Sequence, residues 1–255
     1  MYLCLGAVFL YGALLQKNDS RIIPEAKGQS FELVDPEAVL TPLWVESSII
    51  AKASTQISVG VITTDQGDDL LVLINKHIGL PADYEPKDLV YLDSKVEVAR
   101  SGLRLRKEAT VALEQILKVA KKQGMSLSVL SGYRSFWEQD ATFSYWVALA
   151  GLDTGQKLSA RPGHSQHQLG TTVDFTNQAV GLDISENFMY TKEWEWLAKN
   201  AYKFGYVLSY PKGKEAITGY VYEPWHYRFI GVENAVEMVQ SGLILEEFLQ
   251  KFGVV

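Results

Sequence analysis

The chain has 255 residues, of which 47% are hydrophobic and 21% are charged, a composition typical of globular proteins. Its formal net charge of −6 and the lack of any Lys/Arg-rich run disfavour nucleic acid as a partner, because phosphate binding needs concentrated positive charge. The single cysteine, Cys4, excludes an intrachain disulfide and a thiolate cluster, so a metal site must use His, Asp or Glu.

The N-terminal residues 1–15, MYLCLGAVFLYGALL, carry no charged side chain. They are fewer than the roughly 20 residues of a spanning helix and match the length of a signal-peptide core. No basic region precedes them and no clear small-residue cleavage site follows, so an uncleaved anchor and a truncated start both stay open. We expect an anchor or signal-like segment over 1–15, a linker or N-terminal extension over 16–68, and a compact domain over 69–255 outside the membrane.

Helical and strand patterns both occur along the predicted domain. Val111, Ile116 and Ala120 fall close to a 3.6-residue repeat, and Gly124 stands where a helix cap belongs. The predicted helices cover 107–123, 136–150, the segment between the N-cap Thr191 and Gly205, 232–240 and 245–251. The predicted strands cover 126–130, 171–176, 206–210 and 219–222.

Two histidines and one aspartate stand out as possible metal ligands. His167 and Asp174 lie in a segment punctuated by Gly and Pro, and His226 lies further along the chain. Each is weak evidence by itself, because a lone histidine is more often structural. Together they would supply the three protein ligands of a catalytic zinc, which leaves the fourth position to water. Glu223 would then be available as the general base.

Glu223 and His226 give this idea a geometric test. Residues three apart in a regular strand face opposite ways and could not both address one metal. Pro224 lies between them, and proline in a strand marks an edge or a bulge that could turn both side chains to one centre. On these residues alone the alternative stays open: a solvated turn carboxylate beside an aromatic core segment.

Three segments resemble, in this order and spacing, the VanY-type D-alanyl-D-alanine carboxypeptidases. That family is the peptidase M15B group within the LAS metallopeptidase superfamily. The segments are Ser131-Gly-Tyr-Arg-Ser135 with Gln139, Ser159-Ala-Arg-Pro-Gly-His-Ser-Gln-His-Gln-Leu-Gly170 through Asp174, and Glu223-Pro-Trp-His-Tyr-Arg228. The resemblance runs from about Leu70 to Leu249, and three ordered motifs are far more specific than any one.

The resemblance implies a role for each of these residues. One zinc ion would be bound by His167, Asp174 and His226. Glu223 would be the catalytic base, and Arg134 would polarise the scissile carbonyl and stabilise its oxyanion. Gln139 and Ser165 would hold the terminal residue of the substrate and its carboxylate, with a helix-surface and a turn-capping role as their alternatives.

The fold implied is α+β, a single LAS-type domain in which a small antiparallel sheet carries the metal ligands and helices pack on it. The activity implied is removal of the C-terminal D-alanine from peptidoglycan stem peptides at the extracytoplasmic face of the bacterial membrane. An L,D-carboxypeptidase acting on tetrapeptide stems is an alternative. A non-catalytic wall-binding or sensor module is another, which the intact ligand set with Glu223 disfavours.

The sequence departs from the family pattern at two positions. Gln166 stands where acidic residues are common, and Thr172 stands where an alanine is usual. Neither change removes a ligand. Thr172 would share the strand face of Asp174, so we expect it to alter the pocket or hydrogen-bond the ligand. His164 matches no family ligand and is expected either to support the ligands through a hydrogen bond or to be structural.

Overall fold

The computed structural model of the protein describes residues 60–62 and 64–252. The predicted hydrophobic segment 1–15 and residues 16–59 of the predicted linker lie outside that range. Among the described helices, none is both long enough and apolar enough to cross a membrane.

Short strands and helices follow one another along the described chain. The strands are β1 (Gly60–Val61), β2 (Ile78–Gly79), β3 (Leu89–Tyr91), β4 (Arg104–Arg106), β5 (Ser128–Ser131), β6 (Thr172–Thr176), β7 (Tyr206–Leu208) and β8 (His226–Phe229). The α-helices are α1 (Thr64–Gly67), α2 (Lys107–Lys122), α3 (Phe136–Ala150), α4 (Leu152–Leu158), α5 (Lys192–Asn200), α6 (Glu215–Thr218), α7 (Val232–Ser241) and α8 (Leu245–Phe252). Turns of 3-10 helix cover Gln166–Leu169, Gln178–Val180, Glu186–Tyr190 and Ala201–Phe204.

A four-stranded antiparallel sheet in the order β5-β6-β8-β7 forms the centre of the fold. The pairs β1-β2, which is parallel, and β3-β4, which is antiparallel, lie apart from it. The prediction of a small antiparallel sheet combined with helices is confirmed.

Helix α2 shows how the apolar pattern sets the packing. Its buried positions include Leu113, Ile116 and Ala120, each 0% exposed and three or four residues apart, as a helix packed on one face requires. The predicted place of Val111 on this stripe is wrong, since that side chain is 53% exposed. The true stripe is rotated away from Val111 and includes Thr110, whose hydroxyl donates to the Arg106 carbonyl oxygen at 3.0 Å.

The sheet is joined to α2 by an aromatic core. Phe175 on β6 makes edge contacts with Tyr206 and Tyr227, with ring centroids 6.3 and 5.5 Å apart. The Tyr206 hydroxyl is buried and donates to the Ala109 carbonyl oxygen of α2 at 2.7 Å. Since alternate residues of a strand face opposite ways, burying Phe175 directs Asp174 to the other face of the sheet.

The predicted strand over 219–222 is wrong. Gly219 adopts a φ of 74° after α6, and the Tyr220 amide donates to the Thr218 hydroxyl rather than to a neighbouring strand. The Val221 amide donates to the Lys157 carbonyl oxygen at the end of α4. The backbone here is therefore bonded to helix ends, and the strand begins only at His226.

Candidate metal centre

The three predicted ligands come together from neighbouring elements. Asp174 on β6 pairs directly with His226 on β8, and His167 lies on the 3-10 turn that precedes β6. The three possible donor atoms lie within 4.8 Å of one another, and all three residues are buried. Ser131, the last residue of β5, pairs with Asp174 on its other side after a bulge. The sheet thus aligns one row of polar residues across three strands.

The two histidine rings are held so that one nitrogen of each faces Asp174. His167 Nδ1 donates to the Gly132 carbonyl oxygen at 2.7 Å, which leaves Nε2 facing Asp174 Oδ2 at 3.2 Å. His226 Nε2 lies 3.3 Å from the side-chain oxygen of Gln166, and its Nδ1 lies 3.3 Å from Asp174 Oδ1. A hydrogen bond on the ring nitrogen that does not bind the metal fixes the orientation of a metal-binding histidine.

Asp174 supplies an independent sign of a cation site. Its Oδ1 atom is buried and accepts no hydrogen bond within the described part of the chain, although His226 Nδ1 is nearby. A buried carboxylate oxygen whose nearest donor, His226 Nδ1, does not form a well-aligned hydrogen bond favours a cation at that place. Two imidazole nitrogens and one carboxylate oxygen suit a catalytic zinc with an open position. The residues therefore fit zinc.

Glu223 reaches the same centre through a turn. The His226 amide donates to the Glu223 carbonyl oxygen at 3.2 Å across Pro224 and Trp225, and Glu223 Oε2 lies 3.3 Å from His226 Nδ1. The Glu223 side chain is 12% exposed, so it lies at the open side of the buried ligand set. The predicted break at Pro224 is present. Glu223 is not a solvated carboxylate, although Trp225 and Tyr227 do lie in the core, as the alternative expected.

Burial and neighbouring charges shift the pKa values of the three predicted ligands. Burial lowers the pKa of His167 to about 4 against the opposing charge of Asp174. Burial alone would also lower the pKa of His226, but Asp174 and Glu223 outweigh it and raise that pKa to about 9. Burial would raise the pKa of Asp174, but the two histidines hold it well below its usual range. Without a metal, His226 is therefore the protonated member of the set at neutral pH.

Arg134 is hydrogen-bonded to the turn that carries His167 and lies near this centre. Its backbone amide donates to the His167 carbonyl oxygen at 3.2 Å, and its guanidinium donates to Gln139 Oε1 at 2.9 Å and to Ser131 Oγ at 3.1 Å. Burial lowers the pKa of Arg134, while Asp174 and Glu223 favour its charged form. The Arg134 guanidinium is thus oriented by Gln139 and Ser131, which are neutral. The nearby carboxylates of Asp174 and Glu223 favour its positive charge.

Gln139 and Ser165 both make hydrogen bonds within the protein. Gln139 is 1% exposed and donates through Nε2 to Ser159 Oγ at 3.0 Å and to the Ala160 carbonyl oxygen at 2.7 Å. Ser165 caps the 3-10 turn, since its Oγ accepts from the His167 amide at 3.3 Å. Their predicted contacts with the substrate stay predictions.

Other polar residues near the ligands differ in what the sequence could reveal. His164 is absent from the metal group found among the described residues, and its Nδ1 donates to the Asn75 carbonyl oxygen at 2.8 Å. Thr172 Oγ1 donates to the Gln166 carbonyl oxygen at 3.1 Å, and its expected hydrogen bond to Asp174 is not found among the described residues. Ser209 Oγ donates to Gln166 Oε1 at 2.7 Å. No sequence motif marks Ser209, because its partner lies 43 residues away.

Comparisons with known proteins identify related sequences. A family model described as VanY, D-alanyl-D-alanine carboxypeptidase, matches residues 102–232. The candidate carboxypeptidase YodJ of Bacillus subtilis is 39% identical over 194 residues, which are 75% of this chain and 71% of that protein. The D-alanyl-D-alanine carboxypeptidase of Enterococcus faecalis is 34% identical over 197 residues, which are 72% of this chain and 68% of that protein.

Solved structures give matching folds. The structure of the LdcB LD-carboxypeptidase, described for its recognition of peptidoglycan, has a TM-score of 0.70 and 39% identity, covering 75% of this chain and 90% of that one. The D,D-pentapeptidase VanY of a VanB-type vancomycin resistance cassette, solved as a variant with Zn(II), has a TM-score of 0.56 and 31% identity, covering 70% and 98%. The range matched by the family model contains His167, Asp174, His226, Glu223 and Arg134.

Proposed function

The chain belongs to the VanY family of D-alanyl-D-alanine carboxypeptidases, and we propose that it removes the C-terminal D-alanine of peptidoglycan stem peptides by zinc-dependent hydrolysis. One observation carries this conclusion: His167, Asp174 and His226 converge within 4.8 Å, and Glu223 lies beside them. The VanY structure with Zn(II) supports zinc as the metal.

The predicted ligands and Glu223 would have different roles in the reaction. His167 Nε2, Asp174 and His226 Nδ1 would hold the zinc, which supplies Lewis acidity and makes a water nucleophilic near neutral pH. Glu223, 3.3 Å from His226 Nδ1, takes the proton from the attacking water. It then delivers that proton to the departing amine of D-alanine.

Arg134 would act on the carbonyl oxygen of the scissile bond. Its guanidinium is already oriented by Gln139 and Ser131, so it needs no reorganisation when negative charge develops on that oxygen. Gln139 and Ser165 lie on the elements that flank Arg134 and His167, where they would position the terminal residue of the peptide and its carboxylate.

The LdcB structure supports a second candidate, an L,D-carboxypeptidase acting on tetrapeptide stems. Its TM-score of 0.70 and identity of 39% exceed those of the VanY structure. Both activities need the same metal, base and carbonyl-polarising cation, because they differ in the chirality of the penultimate residue. The main proposal remains the D,D-enzyme, on the description of the matching family and of the Enterococcus faecalis relative.

We also propose that the protein acts at the extracytoplasmic face of the bacterial membrane. Stem peptides are part of the wall outside that membrane, and the uncharged residues 1–15 have the character of an anchor or export segment. Fractionation of cells that express the full chain tests this, since recovery in the cytosol would contradict it.

The activity is tested by incubating the full chain with pentapeptide and tetrapeptide stems and identifying the released amino acid by mass. We expect D-alanine from the pentapeptide, with loss of release on chelation and in Glu223→Gln. Release from the tetrapeptide alone would establish the L,D-activity instead. Cleavage that survives both chelation and Glu223→Gln would refute the mechanism, and no cleavage of either stem would favour a wall-binding module.

A further inference from the structure

The side-chain oxygen of Gln166 lies between a serine and a metal-site histidine. Oε1 accepts from Ser209 Oγ at 2.7 Å and lies 3.3 Å from His226 Nε2. Gln166 is 2% exposed and Ser209 is 1% exposed, so water does not compete for these contacts. In this arrangement the serine hydroxyl donates, and the amide oxygen, which faces both Ser209 and His226, accepts.

With the amide oxygen in this place, one tautomer of His226 fits the contact. An amide oxygen only accepts hydrogen bonds, so His226 Nε2 carries a proton and donates it to Gln166. The other nitrogen, Nδ1, is then the one that can bind a metal, and it is the one that faces Asp174 Oδ1 at 3.3 Å. Rotating the ring by half a turn would break the contact with Gln166.

Gln166 is itself held at both of its ends. Its backbone carbonyl oxygen accepts from Thr172 Oγ1 at 3.1 Å, and Thr172 is 0% exposed and paired with Arg228 in the sheet. Ser209, which orients the side chain, donates its own backbone amide to the His226 carbonyl oxygen at 3.2 Å. The glutamine is therefore anchored to the two strands that carry Asp174 and His226.

We propose that Gln166 is a positioning residue for metal binding: its side-chain oxygen, oriented by Ser209 and anchored through Thr172, holds the His226 ring with Nδ1 toward the metal. The proposal rests on the zinc site of the proposed function. It adds that the affinity for zinc depends on a neutral amide that does not touch the ion. Loss of a hydrogen bond to the non-ligating nitrogen of a metal-binding histidine typically lowers metal affinity about 10–100-fold.

The test compares Gln166→Leu with Gln166→Glu in the full chain. The leucine removes the acceptor at similar size, and we expect zinc affinity, measured by competition with a chromogenic chelator, to fall about 10–100-fold. The glutamate keeps an acceptor oxygen and should bind zinc at least as well as the original chain. In 15N NMR of the zinc-loaded protein, the Nε2 proton of His226 should be observed in the original chain and be lost by exchange in Gln166→Leu.

Gln168→Leu is the matched control. Gln168 lies on the same 3-10 turn and is 0% exposed, but its Nε2 donates to the Pro81 and Tyr84 carbonyl oxygens, away from the ligands. We expect it to lower the melting temperature and leave zinc affinity unchanged. Equal loss of zinc affinity in both leucine variants, or none in Gln166→Leu, would overturn the proposal.

Ser209→Ala covers the case in which Gln166→Leu does not fold. It frees the amide to rotate while leaving Gln166 in place, so zinc affinity should still fall, and unchanged affinity would overturn the proposal. Because zinc binding is measured without substrate, the two conclusions can fail separately. A chain that binds zinc through His226 but cleaves neither stem would contradict the proposed function and leave the role of Gln166 intact.

Discussion

Asp174 and His226 face each other across β6 and β8, with Asp174 Oδ1 3.3 Å from His226 Nδ1. A carboxylate and an imidazole at paired positions of two strands place two metal-binding atoms on one face of the sheet. We expect Asp174→Asn to weaken zinc binding more than the roughly 10–100-fold typical of outer hydrogen-bond partners, because it removes a charged ligand. Chelator competition measures this. Asp153→Asn, at an exposed position of α4, is the control and should bind zinc normally.

Glu223→Gln separates proton transfer from metal binding. The amide keeps the shape of the side chain but cannot take a proton, so kcat should fall by about 100- to 10,000-fold. Zinc content should stay at one ion per chain, because Glu223 is not among the three ligands. The assay pairs turnover with metal analysis, and Glu215→Gln on α6 serves as the control. Normal turnover in Glu223→Gln would contradict the assigned role.

Zinc affinity should depend on pH through His226. Its pKa of about 9 in the metal-free chain means that zinc must displace a proton at pH 7, whereas His167, with a pKa of about 4, is already neutral there. Affinity should therefore rise about tenfold per pH unit up to about pH 9 and then level off. Calorimetry in buffers of different ionisation enthalpy should detect about one proton released per zinc at pH 7. An affinity that is flat between pH 6 and 8 would show that His226 is neutral before zinc binds.

Arg134→Lys should impair catalysis although it keeps the charge. Lysine offers a point charge in place of the fork that donates to Gln139 and Ser131, so its ammonium would not be held toward the substrate. We expect kcat/KM to fall about 100- to 1,000-fold, the usual cost of one oxyanion donor. Arg100→Lys, at an exposed site, is the comparison and should leave kcat/KM unchanged.

Stability should depend on the buried face of α2. Leu113→Ala removes a side chain that is 0% exposed, and we expect it to cost about 2–5 kcal/mol of unfolding free energy. Val111→Ala on the same helix, where the side chain is 53% exposed, should change it by less than about 0.5 kcal/mol. Urea denaturation measures both values. Equal losses would show that the helix is packed differently.

Much of the fold could be predicted because its signals are local. The sequence predicts helix α3 over 136–150, and the structure has it at Phe136–Ala150. Ser135 and Glu138 form a capping box at its start, and Gly151 follows its end. Thr191 is likewise an N-cap, with its hydroxyl accepting from the Trp194 amide at 3.2 Å. In contrast, the predicted strand over 219–222 failed because contacts with α4 and Thr218 decide that backbone, and no local pattern reports them.

The residues of the candidate site could also be predicted from the sequence, but the contacts that orient them could not. The sequence singled out the two histidines, the aspartate and the proline break, because donor chemistry and strand geometry are properties of the residues themselves. Which nitrogen of each ring faces the metal depends on Gly132 and Gln166, which approach only in the folded chain. Thr172 departs from the family pattern, but its hydrogen bond to the backbone of Gln166 is formed only in the folded chain.

Two hydrogen bonds join the segment that carries Arg134 to the turn that carries His167: the Arg134 amide to the His167 carbonyl oxygen, and His167 Nδ1 to the Gly132 carbonyl oxygen. Arg134 and His167, a candidate zinc ligand, are thereby held in a fixed relation to each other by the backbone. For protein engineering, this means that surrounding loops could be exchanged to accept a different peptide while the spacing of the reactive groups stays constant.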